Sequence, residues 1–148
     1  FVLEVAAMLI YTIMPDFGLA YGWVQPPDAP PCAGVGSNIA GPGGWGADLP
    51  ISSELDNAFI EWQCEFESYA WHASADKAGY ANFDWTNFHA RGLALTIRLK
   101  AELGDAAVVI YEKPFEDPNR NEHERTEILA GGQLRVLPSR SEIAARYP

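Results

Sequence analysis

No lysine or arginine precedes Lys77 in this chain. Residues 1–76 carry ten acids, Glu4, Asp16, Asp28, Asp48, Glu54, Asp56, Glu61, Glu65, Glu67 and Asp76, with no base to offset them. Residues 77–148 set ten acids against ten bases, so the formal charge of −10 resides wholly in the first half. A field of that sign repels nucleic-acid phosphates and anionic lipid headgroups, and it speeds encounter with a basic protein. Nucleic acid and membrane are therefore disfavoured as partners, and a basic protein is favoured.

Cysteine is scarce as well. Cys32 and Cys64 stand far apart without CxxC spacing, which excludes a disulfide framework and reads as buried, reduced thiols in a cytosolic protein. A single disulfide between them is the minority reading. Long apolar runs are missing too. The opening FVLEVAAMLIYTIM is too short to span a bilayer, and with Glu4 as its only charge it lacks the basic start of a signal peptide.

Catalytic signatures are likewise absent. There is no GxSxG, and Gly34-Val35-Gly36 is followed neither by a third glycine nor by a Lys-Ser/Thr pair, so no phosphate loop is indicated. His72, His89 and His123 are scattered. Sets such as His89 with Glu102 and His123, or Cys64 with His72, can be drawn as metal ligands, but neither HxxxH nor CxxC supplies the usual short-range pair. No metal and no cofactor is expected. Glu61 and Glu65 lie one helical turn apart, yet a paired-acid hydrolase needs two carboxyls across a cleft in different environments, which a sequence does not reveal, and acids at i, i+4 on the polar face of a helix are most often solvated.

What the sequence does contain is strong periodicity. In 84–113, DWTNFHARGLALTIRLKAELGDAAVVIYEK, the residues Trp85, Phe88, Gly92, Leu95, Leu99 and Leu103 recur every three or four positions, which makes one stripe on a helix. Asp84 is placed to cap its first turn, and Gly104 to end it in a positive-φ conformation that costs glycine nothing. The β-branched run Ala106 to Tyr111 follows as a buried strand. A first helix opens at Pro50-Ile51-Ser52-Ser53, where either serine can cap and Ser53 with Asp56 approximates a capping box. Its stripe is Leu55, Phe59, Trp62, Phe66 and Tyr69, and its opposite side carries Glu61, Gln63, Glu65 and Glu67.

Four further strand signals complete the set. Leu9–Ile13 and Phe17–Val24 flank the turn Pro15-Asp16, and 126–130 with 133–137 flank Gly131-Gly132 as a hairpin. A last helical turn is expected at 143–146. Residues 25–50 are rich in proline and glycine and read as a long loop bordered by Trp23 and Trp45. The expected architecture is one α+β domain over 1–148, an antiparallel or mixed sheet of four to five strands with two amphipathic helices packed on one face.

The set Leu49-Pro50-Ile51-Ser52, Phe59-x-x-Trp62 and Phe88-x-x-x-Gly92-Leu93-x-Leu95-x-x-x-Leu99-x-x-Glu102-Leu103-Gly104 resembles small bacterial immunity proteins of polymorphic or contact-dependent toxin systems. The resemblance covers residues 49–112 and rests mainly on scaffold positions. It implies a cytoplasmic, non-catalytic protein that binds a cognate toxin and occludes its active site. On that reading the partner-binding residues are Glu61, Glu65, Glu67 and Asp48 for charge, with Trp23 and Trp45 as aromatic anchors. Two other readings stand beside it: a small hydrolase using His89 or His123 with a nearby acid, and a structural or regulatory subunit of a homo-oligomer.

Overall fold

The computed structural model describes residues 8–18, 20–27, 36–40, 47–48, 50–73, 82–120 and 124–137. Among the described residues seven strands form one mixed sheet: β1 (Leu9–Asp16), β2 (Ala20–Gln25), β3 (Ser37–Ala40), β4 (Ala47–Asp48), β5 (Ala107–Glu112), β6 (Arg125–Ile128) and β7 (Leu134–Leu137). Two helices, α1 (Ser53–Ala73) and α2 (Trp85–Leu103), lie between β4 and β5 in the chain. The spatial order is β4-β3-β2-β1-β5-β6-β7. This is the α+β class expected, with the five anticipated strands at β1, β2, β5, β6 and β7. The other two, β3 and β4, come from the stretch read as a long loop. Their pairing is made by backbone groups, so side-chain periodicity gives little notice of it. Gly36 opens β3 at φ +100°, where a Cβ would stand 2.1 Å from the Val24 carbonyl oxygen, so only glycine allows that approach.

The central pair is parallel, with Ile10 opposite Val108 and Ile13 opposite Tyr111. A parallel neighbour requires a crossover, and the helical pair supplies it. Both faces of these strands are buried. Tyr11, Ile13, Val109 and Tyr111 belong to the core cluster under the helices, while Thr12, Met14 and Ile110 are buried outside that cluster. Burial on two sides explains why β5 reads as an unbroken apolar run rather than an alternating one. A bulge between Ile13 and Asp16 disturbs the β1–β2 ladder at Pro15, which has no amide to give it.

The two helices present their stripes to one face of the sheet. Leu55, Phe59, Trp62 and Phe66 of α1 meet Trp85, Phe88 and Leu99 of α2 over β1 and β5. The aromatic rings interlock: Trp62 stacks on Phe88 at 4.5 Å, Tyr21 stacks on Phe59 at 4.8 Å, and Phe66 tilts against both Trp85 and Phe88. Pairs of this kind contribute about 0.5–1.5 kcal/mol each beyond area burial. The ends are as expected. Asp84 accepts the Asn87 amide at 3.1 Å, and Gly104 closes α2 at φ +65° with Lys100 donating to the Gly104 and Ala107 carbonyls.

Three local expectations change. The buried edge of α2 is Trp85, Phe88, His89, Gly92, Thr96 and Leu99, leaving Leu95 and Leu103 half-buried. Gln63 is wholly buried rather than on the polar side of α1, because it lies one turn beyond Phe59 and beside the stripe. Cys64 is an exposed free thiol, not a buried one, since the same rotation turns the next position outward. Cys32 and the expected turn at 143–146 lie outside the described residues. The β6–β7 hairpin is present with Ile128 opposite Leu134, and both Gly131 and Gly132 take positive φ between them.

Candidate protein-binding surface

Pro50 sits just ahead of α1, and Ser52 caps the helix by accepting the Leu55 amide at 3.2 Å. Glu102, in the last turn of α2, reaches back across the pair and accepts both the Ser52 amide at 3.0 Å and its hydroxyl at 2.6 Å. Further along, Arg91 forks onto Glu65 with two bonds of 2.7 Å, while its Nε donates to Asn87. Arg98 lies 3.8 Å from Glu54. Pairing 52 with 102, 54 with 98 and 65 with 91 makes the helices antiparallel and ties the first half of α1 to the second half of α2 on their outer side.

Between these ties the seam opens into a cleft of about 430 Å³. Its floor is Trp62 with Ala58, Ala94 and Leu95, and its walls differ in sign: Glu61 and Glu65 rise from α1, Arg91 and Arg98 from α2. The indole of Trp62 is held from below, with Nε1 donating to the Phe88 carbonyl at 2.9 Å. The floor is thus fixed to α2, and the walls are long side chains, exposed at Glu61, Glu65, Arg91 and Arg98. Glu61 is exposed and has no ion-pair partner among the described residues.

The proposed contact residues fall at separate places. Glu61 and Glu65 line the cleft together. Glu67 is half-buried on the far flank of α1, accepting the Gly18 amide at 2.9 Å and the Gln63 side-chain amide at 3.1 Å, so it also pins the β1–β2 turn. Trp23 is half-buried, with Nε1 donating to the Met14 carbonyl at 2.9 Å. Asp48 lies in β4 at the sheet edge. Trp45 lies outside the described residues. Arg91 and Arg98 were not singled out from the sequence. Their spacing of seven, which puts both on one helix face, was the available signal.

A second polar cluster is buried. His89 Nδ1 lies 2.6 Å from the Tyr111 hydroxyl, His89 Nε2 lies 2.6 Å from Asp117 Oδ2, and the Trp85 indole stacks on the imidazole. Burial lowers the His89 pKa below its usual 6.5 despite the adjacent Asp117 carboxylate, and burial also raises that of Tyr111. The neutral ring fits the network: Tyr111 O–H donates to Nδ1, and Nε2–H donates to Asp117. Asp117 Oδ1 accepts the Asn119 amide as well, which ties the 114–120 turn to α2 and β5. The hydrolase reading places His89 or His123 beside an acid, and a hydrolase site also needs a pocket for substrate. Here the pair is joined, but the cleft at the helix seam does not reach it. His123 lies outside the described residues. Among the described residues no group of His, Cys, Asp and Glu could hold a metal ion, and no helix is long and apolar enough to cross a membrane.

A family model for Serratia CdiI immunity protein-like proteins matches residues 38–114, more than half the chain. The chain belongs to that family. The match runs from β3 through both helices to the end of β5, and it contains the cleft with both of its walls as well as the 49–112 span that carries the resemblance in sequence. Comparisons with curated proteins and with solved structures gave no match. His89 and Tyr111 also fall within the family's span, whereas Asp117 falls just beyond it.

Proposed function

We propose that this immunity-protein-like chain neutralises a cognate bacterial toxin in the cytoplasm of the cell that makes both, by stoichiometric binding and without catalysis. The observation that carries the reading is the family match over 38–114. The acidic outer face of α1 would meet a basic toxin surface, with Glu61 and Glu65 at the centre. Asp48, Glu67 and Trp23 would form the flank towards the β2–β4 edge, and Trp45 is proposed as a further aromatic anchor. Desolvated charge pairs around aromatic anchors give both fast encounter and slow release.

The test takes as its candidate a toxic domain sought in the reading frames that adjoin this one. Cells producing that domain should grow when the chain is supplied and fail to grow without it. Reversing both Glu61 and Glu65 to lysine should weaken binding by about 100-fold and flatten its salt dependence. An absence of protection by the wild-type chain would refute neutralisation. Unchanged affinity and salt dependence in the double reversal would refute the acidic-face contact.

A further inference from the structure

We infer that the cleft between α1 and α2 seats an amphipathic α-helix of the toxin, packed along the seam as a third helix. This rests on the neutralisation reading and gives the partner a shape and a charge pattern. Three features of the seam lead to it.

The first is dimension. The Glu65–Arg91 and Glu54–Arg98 pairs bound the seam at either end. The eleven-residue step from Glu54 to Glu65 along α1 corresponds to about 16 Å, or about three helical turns. A segment of that length presents apolar residues at i, i+3 or i+4, and i+7 to a groove.

The second is the floor. Ala58 and Ala94 are small and leave room for another backbone to approach, and half-buried Leu95 offers apolar area beside Trp62, which is itself only 2% exposed and closes the bottom of the seam. The walls are helical, and their backbone amides and carbonyls are already bonded within each helix. An extended strand laid here would find no ladder and would leave its own backbone unpaired, whereas a helix arrives with its backbone satisfied. The occupant is therefore helical.

The third is charge. The α1 wall has Glu61 without an ion-pair partner among the described residues. The α2 wall has Arg98, whose contact with Glu54 is long and whose partner carboxylate is 89% exposed. The pairing of Arg98 with Glu54 sets Arg98 about 10 Å, or about two turns, away from Glu61 along the axis. The incoming helix then carries a basic residue on the flank facing α1 and an acidic residue on the flank facing α2, which is how flanking charges fix partner and orientation in helical bundles. Reversing the helix would set like charges against each other.

The experiment uses the toxic domain that the wild-type chain neutralises, with Ala58→Arg and Ala94→Arg placed in the floor of the intact chain. Both positions are solvent-accessible, so unchanged thermal melting should show that folding is retained. Either variant is expected to lower toxin affinity by about 100-fold. A single cysteine at Ala94, in a background lacking Cys64 and Cys32, should crosslink to toxin positions spaced by three and four. Wild-type protection together with binding by Ala58→Arg and Ala94→Arg within about twofold of wild type would overturn the helix seat and leave neutralisation standing. Crosslinks spaced by two would mean an extended segment and would overturn it too. So would a wild-type dimer in light scattering that Ala94→Arg converts to monomer, since the occupant would then be a second copy. Failure of the wild-type chain to bind the toxin at all would remove both readings.

Discussion

Gly92 lies directly beneath the indole of Trp62: a Cβ built on it would stand 2.5 Å from Cζ2 of that ring and 2.9 Å from Cε2 of Tyr111. The helix pair and the sheet thus converge on one residue that has no side chain. The same contact sets the depth at which Trp62 can form the cleft floor.

Gly92→Ala is expected to destabilise the fold. At a free helical surface this change would stabilise by about 1 kcal/mol through propensity. Here the added methyl must displace a buried indole or phenol, and overpacking of that kind costs about 1–3 kcal/mol or more. A net loss of about 1–2 kcal/mol should appear in chemical denaturation. A gain in stability would show that the packing around Gly92 is looser than described. Ala94→Gly, on the exposed side of the same helix, is the control and should lose about 1 kcal/mol through propensity alone.

The buried His89 predicts a pH dependence with a definite sign. Its folded pKa is lowered, with burial as the leading cause. The unfolded chain takes up a proton near pH 6.5 while the folded chain resists it. Below that pH the unfolded state binds more protons, so this group's contribution to stability is complete above about 6.5 and declines as pH falls towards the folded pKa. Denaturation measured from pH 7.5 to 5.5 should show the decline, and His89→Gln should flatten it. The His89 ring resonances should titrate below 6.5. A midpoint above that value would contradict the neutral network with Tyr111 and Asp117.

The Glu65–Arg91 bridge should matter little to stability and more to the cleft. Both side chains are nearly half exposed. Exposed pairs of this kind typically couple by about 0.2–1 kcal/mol. A double-mutant cycle with Glu65→Ala and Arg91→Ala should give about 0.5 kcal/mol at low salt, fading as salt rises. A coupling several times larger would mean that the pair is desolvated and does not belong to an open wall.

Much of the scaffold was legible because its signals are local. The α2 cap at Asp84, its end at Gly104, the β5 run and the 125–137 hairpin are each specified by residues within a few positions of one another. Side chains that look outward in sequence were harder to place. Gln63 and Cys64 border the α1 stripe, where a rotation of a fraction of a turn decides between core and water, and here it buries one and exposes the other. The edge strands β3 and β4 were not legible at all, since their pairing is written in backbone bonds to β2 and to each other.

The sequence by itself determined that two apolar helical stripes would cover one face of a sheet, and that every unbalanced negative charge would lie before residue 77. It could not determine which of those charges stay free. The tertiary structure joined Glu65 to Arg91 across 26 positions and bonded Glu67 to the Gly18 amide across 49, while Glu61 kept no ion-pair partner among the described residues. It also brought Asp117 to His89 across 28 positions. Periodicity fixes the face of an element from its neighbours in the chain. Partners this distant depend on how two helices cross and how deeply they sit on the sheet, and that geometry exists only once the core has packed.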